Sequence, residues 1–282
     1  MARQRAAERV AGAPARGAAV SGSLLQPGLA ALGFGSAGGP PGGRAAGLRE
    51  AGETADLLER YLAELDRWNA AYGFVKATAD ELVTRHVLDS IAGAATVAAL
   101  CARSGPGAAP IAAPGGVEPR PRGGVLDVGS GAGFPGIPLA VALPGVRFTL
   151  LERSGRKCAF LENCRALLGL ANVTVLPADL SAATGVYDVI TFRAVAPLDR
   201  FLDDLARSKV AWRSIAAYKG RRDRIDEELA ALGPAAVSAE VVRLAVPFVD
   251  EERHLVVLRS RRRGAPAGSG SALNLDNTVG GD

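Results

Sequence analysis

The feature that most constrains this chain is a strict alternation of strand and helix signals that begins at Val125 and runs to Leu232. Val125–Val128 is a short apolar run that reads as a strand, with a short helix directly behind it at 136–143. Further strands are predicted at 147–151, 173–176, 187–192 and 215–218. The helices between them carry Phe160, Leu161, Cys164, Leu167 and Leu168 on one face up to Gly169, then Phe201, Leu202 and Leu205, then Ile225, Leu229 and Leu232. Parallel strands need a crossover, usually helical, so the alternation predicts an α/β fold with a doubly wound, mostly parallel sheet. Residues 241–248 and 254–258 have no helix between them and are expected to pair antiparallel as a closing hairpin, which brings the sheet to seven strands.

Ahead of the sheet the pattern is helical. Leu57, Leu58, Tyr61, Leu62, Leu65 and Trp68 recur at helical spacing, and a second helix places Val83, Val87 and Ile91 on one face, with Arg85 and Asp89 spaced for an i,i+4 ion pair. Residues 1–48, mostly Ala, Gly, Pro and Arg, show no hydrophobic period and read as a disordered tail, as do residues 261–282. The Pro/Gly-rich stretch 103–124 reads as a linker. The expected organisation is therefore a tail (1–48), a helical segment (49–102), a linker (103–124), a sheet domain (125–260) hinged to that segment, and a second tail (261–282).

At 282 residues and 48% apolar content the chain can bury a full core. No apolar run approaches the roughly 18 residues of a membrane span, and the stretch 24–34 is broken by Gln26, Pro27 and Gly28, so no membrane partner and a cytoplasmic location are expected. Cys101, Cys158 and Cys164 form no C-x-x-C pair and fit reduced, buried thiols. His86 and His254 are the only histidines and lie far apart, so no metal site is expected. Without a surplus apolar stripe the chain is expected to be a monomer. The net charge of +4 is uneven: residues 1–49 hold six Arg against Glu8, and residues 259–282 hold four Arg against two Asp, which leaves residues 50–258 at −3. Any nucleic-acid footprint on the body must be local.

The first β-α turn, within VLDVGSGAGFPGIPLA (residues 125–140), is nearly bare of side chains and lets a ligand approach backbone. Gly131, Gly133 and Gly136 satisfy G-x-G-x-x-G, and Glu152 follows about 20 residues on, as in a dinucleotide site. No G-K-[S/T] follows, which excludes a P-loop. Asp127, two residues before Gly129, argues against a pyrophosphate, because its carboxylate would repel one and suits a ligand with an ammonium group. S-adenosylmethionine has that chemistry. Glu152 at the end of the second strand can accept from ribose hydroxyls, and Asp179 after the third strand stands where an adenine would lie. The plainer alternatives are that Asp127 caps the following helix and that Glu152 belongs to a solvated cluster with Arg153, Arg156 and Lys157.

The stretch VLDVGSGAGFPGIPLA, together with RHVLDS (85–90), FRAVAPLDRF (192–201) and YKG (218–220), resembles the glucose-inhibited division protein B family of bacterial small-subunit ribosomal RNA methyltransferases. The likeness covers about residues 53–258. It implies a Rossmann-like S-adenosylmethionine-dependent methyltransferase fold and methyl transfer to N7 of one guanine in 16S ribosomal RNA, either as RNA or within the small ribosomal subunit. By position in the motifs, Gly129, Phe134, Leu180, Ser181 and Arg193 would touch the donor or line its pocket. With Asp127, Ser130, Gly131, Gly133, Glu152 and Asp179 they make the candidate donor set. N7 already carries a lone pair, so the reaction asks for alignment more than for a base. Arg193, at the mouth of the sheet, is the catalytic candidate, to orient the guanine or a phosphate; a structural ion pair is its alternative role. In the run KGRRDR (219–224), Lys219, Arg221 and Arg222 are the candidate RNA contacts. After Trp68 the chain reads AAYGFVKAT where many members have an Asn-Leu-Thr. Two other readings of the fold remain: an enzyme using NAD or another acceptor, and a non-catalytic RNA-binding module.

Overall fold

The computed structural model describes residues 22–34, 47–103, 123–232 and 237–260. In chain order the elements are α1 (Gly22–Ala31), α2 (Ala51–Tyr72), α3 (Ala79–Glu81), a π-helical segment (Leu82–Leu88), α4 (Asp89–Ala92) and α5 (Ala94–Ala102). They continue as β1 (Val125–Val128), α6 (Gly136–Ala142), β2 (Phe148–Glu152), α7 (Gly155–Leu167) and β3 (Val173–Pro177). A 3-10 turn (Leu180–Ala182) leads into β4 (Thr184–Arg193), α8 (Leu198–Arg207), β5 (Lys209–Lys219), α9 (Arg222–Ala231), β6 (Val237–Arg243) and β7 (His254–Ser260).

The seven strands form one sheet in the order β3-β2-β1-β4-β5-β7-β6. Strands β1 to β5 are parallel, and β7 runs antiparallel to both β5 and β6. The later strand of the hairpin takes the inner place for a reason visible in its side chains. Leu255–Leu258 of β7 are all apolar and fully buried, whereas β6 mixes apolar with polar residues and stays partly exposed at the edge. The expected strand at 241–248 begins and ends earlier than its apolar content suggests. It stops at Arg243, and Phe248 instead holds a left-handed φ of 64° with its ring exposed.

The sheet is covered on both faces. Val125 of β1 joins the core that contains α2, α6 and α7, while Leu126 and Val128 join the core on the α8 and α9 side, as alternation along a strand requires. Leu57, Leu58, Tyr61, Leu62 and Leu65 of α2 are buried as their spacing predicts, and so are Phe160, Leu161, Cys164 and Leu168 in and after α7, although Leu167 is exposed. The helical segment 49–102 is not a separate body hinged to the sheet domain: it shares one continuous core with α6, α7 and β7. Tyr61 donates to the Ala132 carbonyl, and Tyr218 Oη donates to the Ser90 carbonyl at 2.6 Å. Tyr218 also passes so close to Gly93 that a Cβ there would lie 2.2 Å from its hydroxyl, so glycine is what lets α4 and α5 seat on β5.

The reading of residues 1–48 as disordered is corrected at 22–34. A short helix with proline inside and glycine beside it has poor intrinsic propensity, but Leu25 and Leu29 at i,i+4 form an apolar stripe that, with Phe34, is fully buried against the core. Tertiary packing overrides propensity here, since two buried leucines offset several kcal/mol of ordering entropy at about 1.5–3 kcal/mol each. Residues 1–21, 35–46, 104–122 and 261–282, on which the rest of the tail and linker readings fall, lie outside the described residues. Leu29→Ala is expected to lower unfolding stability in urea by about 2–4 kcal/mol. A loose tail would show no change.

Candidate active site

The strand order reverses between β1 and β4, and in sheets of this kind the crevice at the carboxyl ends of the strands beside that point is where ligands bind. A cleft of about 730 Å³ opens there. Its floor is Gly129, Ser130 and Gly131 from the β1–α6 turn, and Arg193, which ends β4, and Ala194 after it form one wall. Phe74, Val75 and Lys76 approach from the helical segment.

The glycine turn is held from behind by two carboxylates. Gly129, Gly131 and Gly133 all adopt left-handed backbone, with φ of 68°, 59° and 100°. The amides of Gly129 and Ser130 donate to the Leu151 carbonyl at 2.9 and 3.1 Å, which ties the turn to β2. Glu152 accepts from Gly131 N at 2.9 Å with one oxygen and from Ser154 N at 2.8 Å with the other. Asp127, fully buried beneath the turn, accepts from Gly136 N at 3.2 Å through Oδ2, so it does cap α6. Its Oδ1 is buried with no hydrogen-bond partner. Burial raises the Asp127 pKa to about 7, against the opposing bond from Gly136 N.

Arg193 is the centre of the opposite wall. Its Nη1 donates to the Arg85 carbonyl at 3.1 Å and to Asp89 Oδ2 at 3.2 Å, its Nη2 lies 2.7 Å from His86 Nδ1, and its guanidinium stands 5.1 Å from the Phe134 ring centroid. A guanidinium only donates, so His86 Nδ1 must accept, and the imidazole is the neutral Nε2–H tautomer. Burial, and then Arg193, lowers the His86 pKa to about 4, in accord with that assignment. Asp89 is buried and also meets Arg253 Nε at 3.5 Å. The expected Arg85–Asp89 pair is replaced: Arg85 pairs with Glu81 and Glu251, while Asp89 is taken by Arg193 and Arg253. The residue after Arg193, Ala194, holds a left-handed φ of 54°, a strain of about 1–2 kcal/mol that turns the chain sharply at the cleft wall.

Of the residues singled out from sequence, Gly129, Ser130, Gly131, Phe134, Arg193 and Lys219 line this one cleft. Asp127 and Glu152 stand behind it, bonded to the turn, and Gly133 packs against Tyr61 and Ile137. Asp179, Leu180 and Ser181 do not line it. Asp179 is exposed and caps the 3-10 turn, accepting from Ser181 N at 3.2 Å and Ser181 Oγ at 3.1 Å, bonds that hold its carboxyl below the usual range. Lys219 is engaged by Glu228 at 2.7 Å and by the Ala196 carbonyl at 3.2 Å. Arg221 and Arg222 are exposed outside the cleft and paired with Asp223 and Asp226, so the basic run is a helix start laced with local ion pairs. Sequence reasoning assigned Asp89 only to a pair with Arg85, so it missed the place of that residue in the site, and it missed Arg253. The signal for Asp89 was an acid directly behind the buried Val87 and Leu88 in RHVLDS; for Arg253 it was a cation at the head of a strand that runs against its neighbours. Among the described residues no group of three or more His, Cys, Asp or Glu could hold a metal ion.

His86 and Asp127 pull stability in opposite directions with pH. An unfolded Asp titrates near 3.9, so between about 4 and 7 the folded state holds a proton that the unfolded state has lost, and stability falls as pH rises. For His86 the unfolded value is about 6.5 and the folded one about 4, so the unfolded state binds the extra proton and stability rises over that interval. Asp127→Asn removes the falling contribution. Denaturant titrations from pH 4 to 6.5 should then show stability that climbs more steeply with pH than in the wild type; parallel profiles would mean that Asp127 is ionised in the fold.

A family model described as rRNA small subunit methyltransferase G matches residues 116–256. The ribosomal RNA small subunit methyltransferase G of Cupriavidus necator is 40% identical over 230 residues, covering 78% of this chain and 92% of that protein. Its counterpart in Cupriavidus pinatubonensis is 38% identical over 226 residues, covering 76% and 91%. The Treponema pallidum (strain Nichols) protein of the same name is 38% identical over 215 residues, covering 72% and 84%. With a glycine turn at the switch point of its sheet and relatives that match most of its length, the chain belongs to the rRNA small subunit methyltransferase G family.

Proposed function

We propose that this protein transfers a methyl group from S-adenosylmethionine to N7 of a guanine in 16S ribosomal RNA, as the relatives' names indicate for small-subunit ribosomal RNA in general. The observation that carries the reading is the meeting, in one cleft, of a left-handed glycine turn with the Arg193 cluster. The chain's own atoms suit a donor bound beside the glycine turn. Asp127 Oδ1 is a buried acceptor lacking a donor, directly beneath the turn, and suits an ammonium group or a water bound beside it. Gly129, Ser130 and Gly131 expose backbone to the cleft, and Glu152 fixes the turn while keeping lone pairs for a hydroxyl. Bound there, the donor supplies an activated, electrophilic methyl group.

The chain's residues supply position. Guanine N7 needs no proton removed, which accords with a cleft whose histidine is neutral and engaged by Arg193. Arg193, held by three acceptors, is fixed where a guanine edge or a phosphate would meet its remaining N–H groups. Asp179, Leu180 and Ser181 contribute to donor binding only if the 3-10 turn reaches the bound adenine. Lys219, Arg221 and Arg222 can meet RNA only by exchanging acidic partners for phosphate. The pairs of Arg221 and Arg222 are exposed and screened by solvent, so exchange is cheap. A monomer in the cytoplasm is part of this reading; among the described residues no helix is long and apolar enough to cross a membrane.

The deciding experiment is transfer of labelled methyl to naked 16S RNA, to assembled small subunits and to small-molecule acceptors, followed by mapping of the modified base. Label at guanine N7 in either RNA substrate supports the assignment. Label on another acceptor alone, or none, overturns it.

A further inference from the structure

The antiparallel sense of β7 has a geometric result for the cleft. Strands β1 to β5 bring their last residues to the ligand edge, but β7 brings its first: His254 pairs in register with Lys219, the final residue of β5. Arg253, one residue before β7, thus reaches the same edge as Arg193 and lines the same cleft. Between the two arginines lies Asp89, with Oδ2 at 3.2 Å from Arg193 Nη1 and Oδ1 at 3.5 Å from Arg253 Nε. Two guanidinium groups share one buried carboxylate, and with His86 neutral the cluster keeps one net positive charge.

Donors remain as well as charge. Arg253 gives Nη1 to the Glu252 carbonyl at 3.0 Å, and its Nη2 has no hydrogen-bond partner among the described residues. Arg193 has Nε and one Nη2 hydrogen left after its three bonds. The neighbouring acids are turned elsewhere, Glu251 to Arg85 and Glu252 to Arg222 N at 2.8 Å. Lys76 and Lys157 line the same cleft, and neither holds an acidic partner among the described residues.

Resting on the function proposed above, we propose that Arg253, joined to Arg193 through Asp89, forms a seat for an RNA backbone phosphate beside the target nucleotide. The ligand class follows from a planar pair of forks with surplus positive charge and free N–H groups, which fits a tetrahedral anion. Its source follows from the sheet. The glycine turn follows β1, and β7 lies three strand spacings away through β4 and β5, about 14 Å at roughly 4.8 Å each. Arg253 therefore stands on the acceptor side of Arg193. Lys76 and Lys157 add positive charge to the same cleft, whereas Arg221 and Arg222 are already paired.

The test uses the full chain with Arg253→Gln, Arg253→Lys and, as a control on the opposite edge of the sheet, Arg207→Gln. Methylation kinetics with 16S RNA or small subunits, RNA binding across salt, and calorimetry with S-adenosylmethionine are measured together. Arg253→Gln should raise the RNA KM by about 10-fold with kcat within about 3-fold, and make the slope of log Kobs against log salt shallower by about 0.7–0.9. Donor affinity should stay within about 2-fold, and Arg207→Gln should match wild type throughout. Arg253→Lys keeps the charge, so the salt slope should return while the RNA KM stays raised by about 3-fold. This variant carries the test if Arg253→Gln melts below assay temperature: an RNA KM equal to wild type then overturns the seat. An unchanged KM and slope in folded Arg253→Gln overturn it as well, and a weakened donor affinity reassigns the arginines to the donor's carboxylate. If wild type methylates RNA and Arg253→Gln equals it, only the phosphate seat fails; if wild type methylates no RNA, the proposed function fails first.

Discussion

Arg193→Ala is expected to lower methyl transfer to RNA by about 100-fold while the protein stays folded, because a misplaced acceptor base costs about that factor when catalysis rests on alignment. The side chain is fixed by acceptors from one short region of chain, the Arg85 carbonyl, His86 Nδ1 and Asp89, all in the π-helical turn or directly after it. Its removal leaves Asp89, 3% exposed, with Arg253 alone. Breaking a buried pair outright costs about 3–5 kcal/mol, and the surviving partner brings the expected loss down to about 1–3 kcal/mol. Tm should therefore fall by about 2–12 °C, with the protein still folded at assay temperature, and kcat should fall by far more than the melt accounts for. Arg193→Lys separates charge from geometry. A lysine keeps the charge but cannot span three acceptors in one plane, so transfer should stay at least about 10-fold below wild type. Transfer by Arg193→Ala within 2-fold of wild type would falsify any role for Arg193 in the reaction.

Gly133→Ala is expected to cost about 3 kcal/mol of stability, a fall in Tm of about 6–12 °C for a chain of this size. At φ 100° an alanine is strained, and its Cβ would lie 2.7 Å from Ile137 Cγ1 and 3.0 Å from the Tyr61 hydroxyl. Neither neighbour can yield cheaply. Ile137 is fully buried, and Tyr61 is fully buried with its hydroxyl given to Ala132. Displacement of Tyr61 passes to Phe134, whose ring centroid is 5.6 Å from that of Tyr61 and over which the Arg193 guanidinium stands. Donor affinity should consequently fall by about 10-fold or more with the stability. Gly131→Ala is the comparison, since it shares the left-handed backbone, at φ 59°, but its Cβ would meet only the Gly129 carbonyl at 3.7 Å. It should cost about 1 kcal/mol, from strain alone. Equal urea midpoints for the two variants would show that packing around Tyr61 contributes nothing.

Much of the architecture was legible because the signals were local. The buried face of α2, the strand at Val125–Val128 and the turn that follows come from periodicity and from glycines within a few residues of one another. The helix at Gly22–Ala31 was not legible: its propensity is poor, and the partners that bury Leu25 and Leu29 come from later in the chain. In the site, Arg193 and the glycine turn could be read from motif position. Lys219, Arg221 and Arg222 could be read only as charge, and charge says nothing about whether a partner already stands beside it.

By itself the sequence determined the alternation of strands and helices, the parallel sheet with its closing hairpin, and the place of the ligand turn, because apolar period and turn chemistry act over neighbouring residues. Only the tertiary structure decided which polar groups meet. Asp89 turned away from Arg85, four residues off, to arginines 104 and 164 positions away, and β7 entered the sheet between β5 and β6, bringing Arg253 to the cleft. Pairings of that kind depend on the direction of a strand and on the phase of a helical turn, and both are set by the packing of segments far apart in the chain.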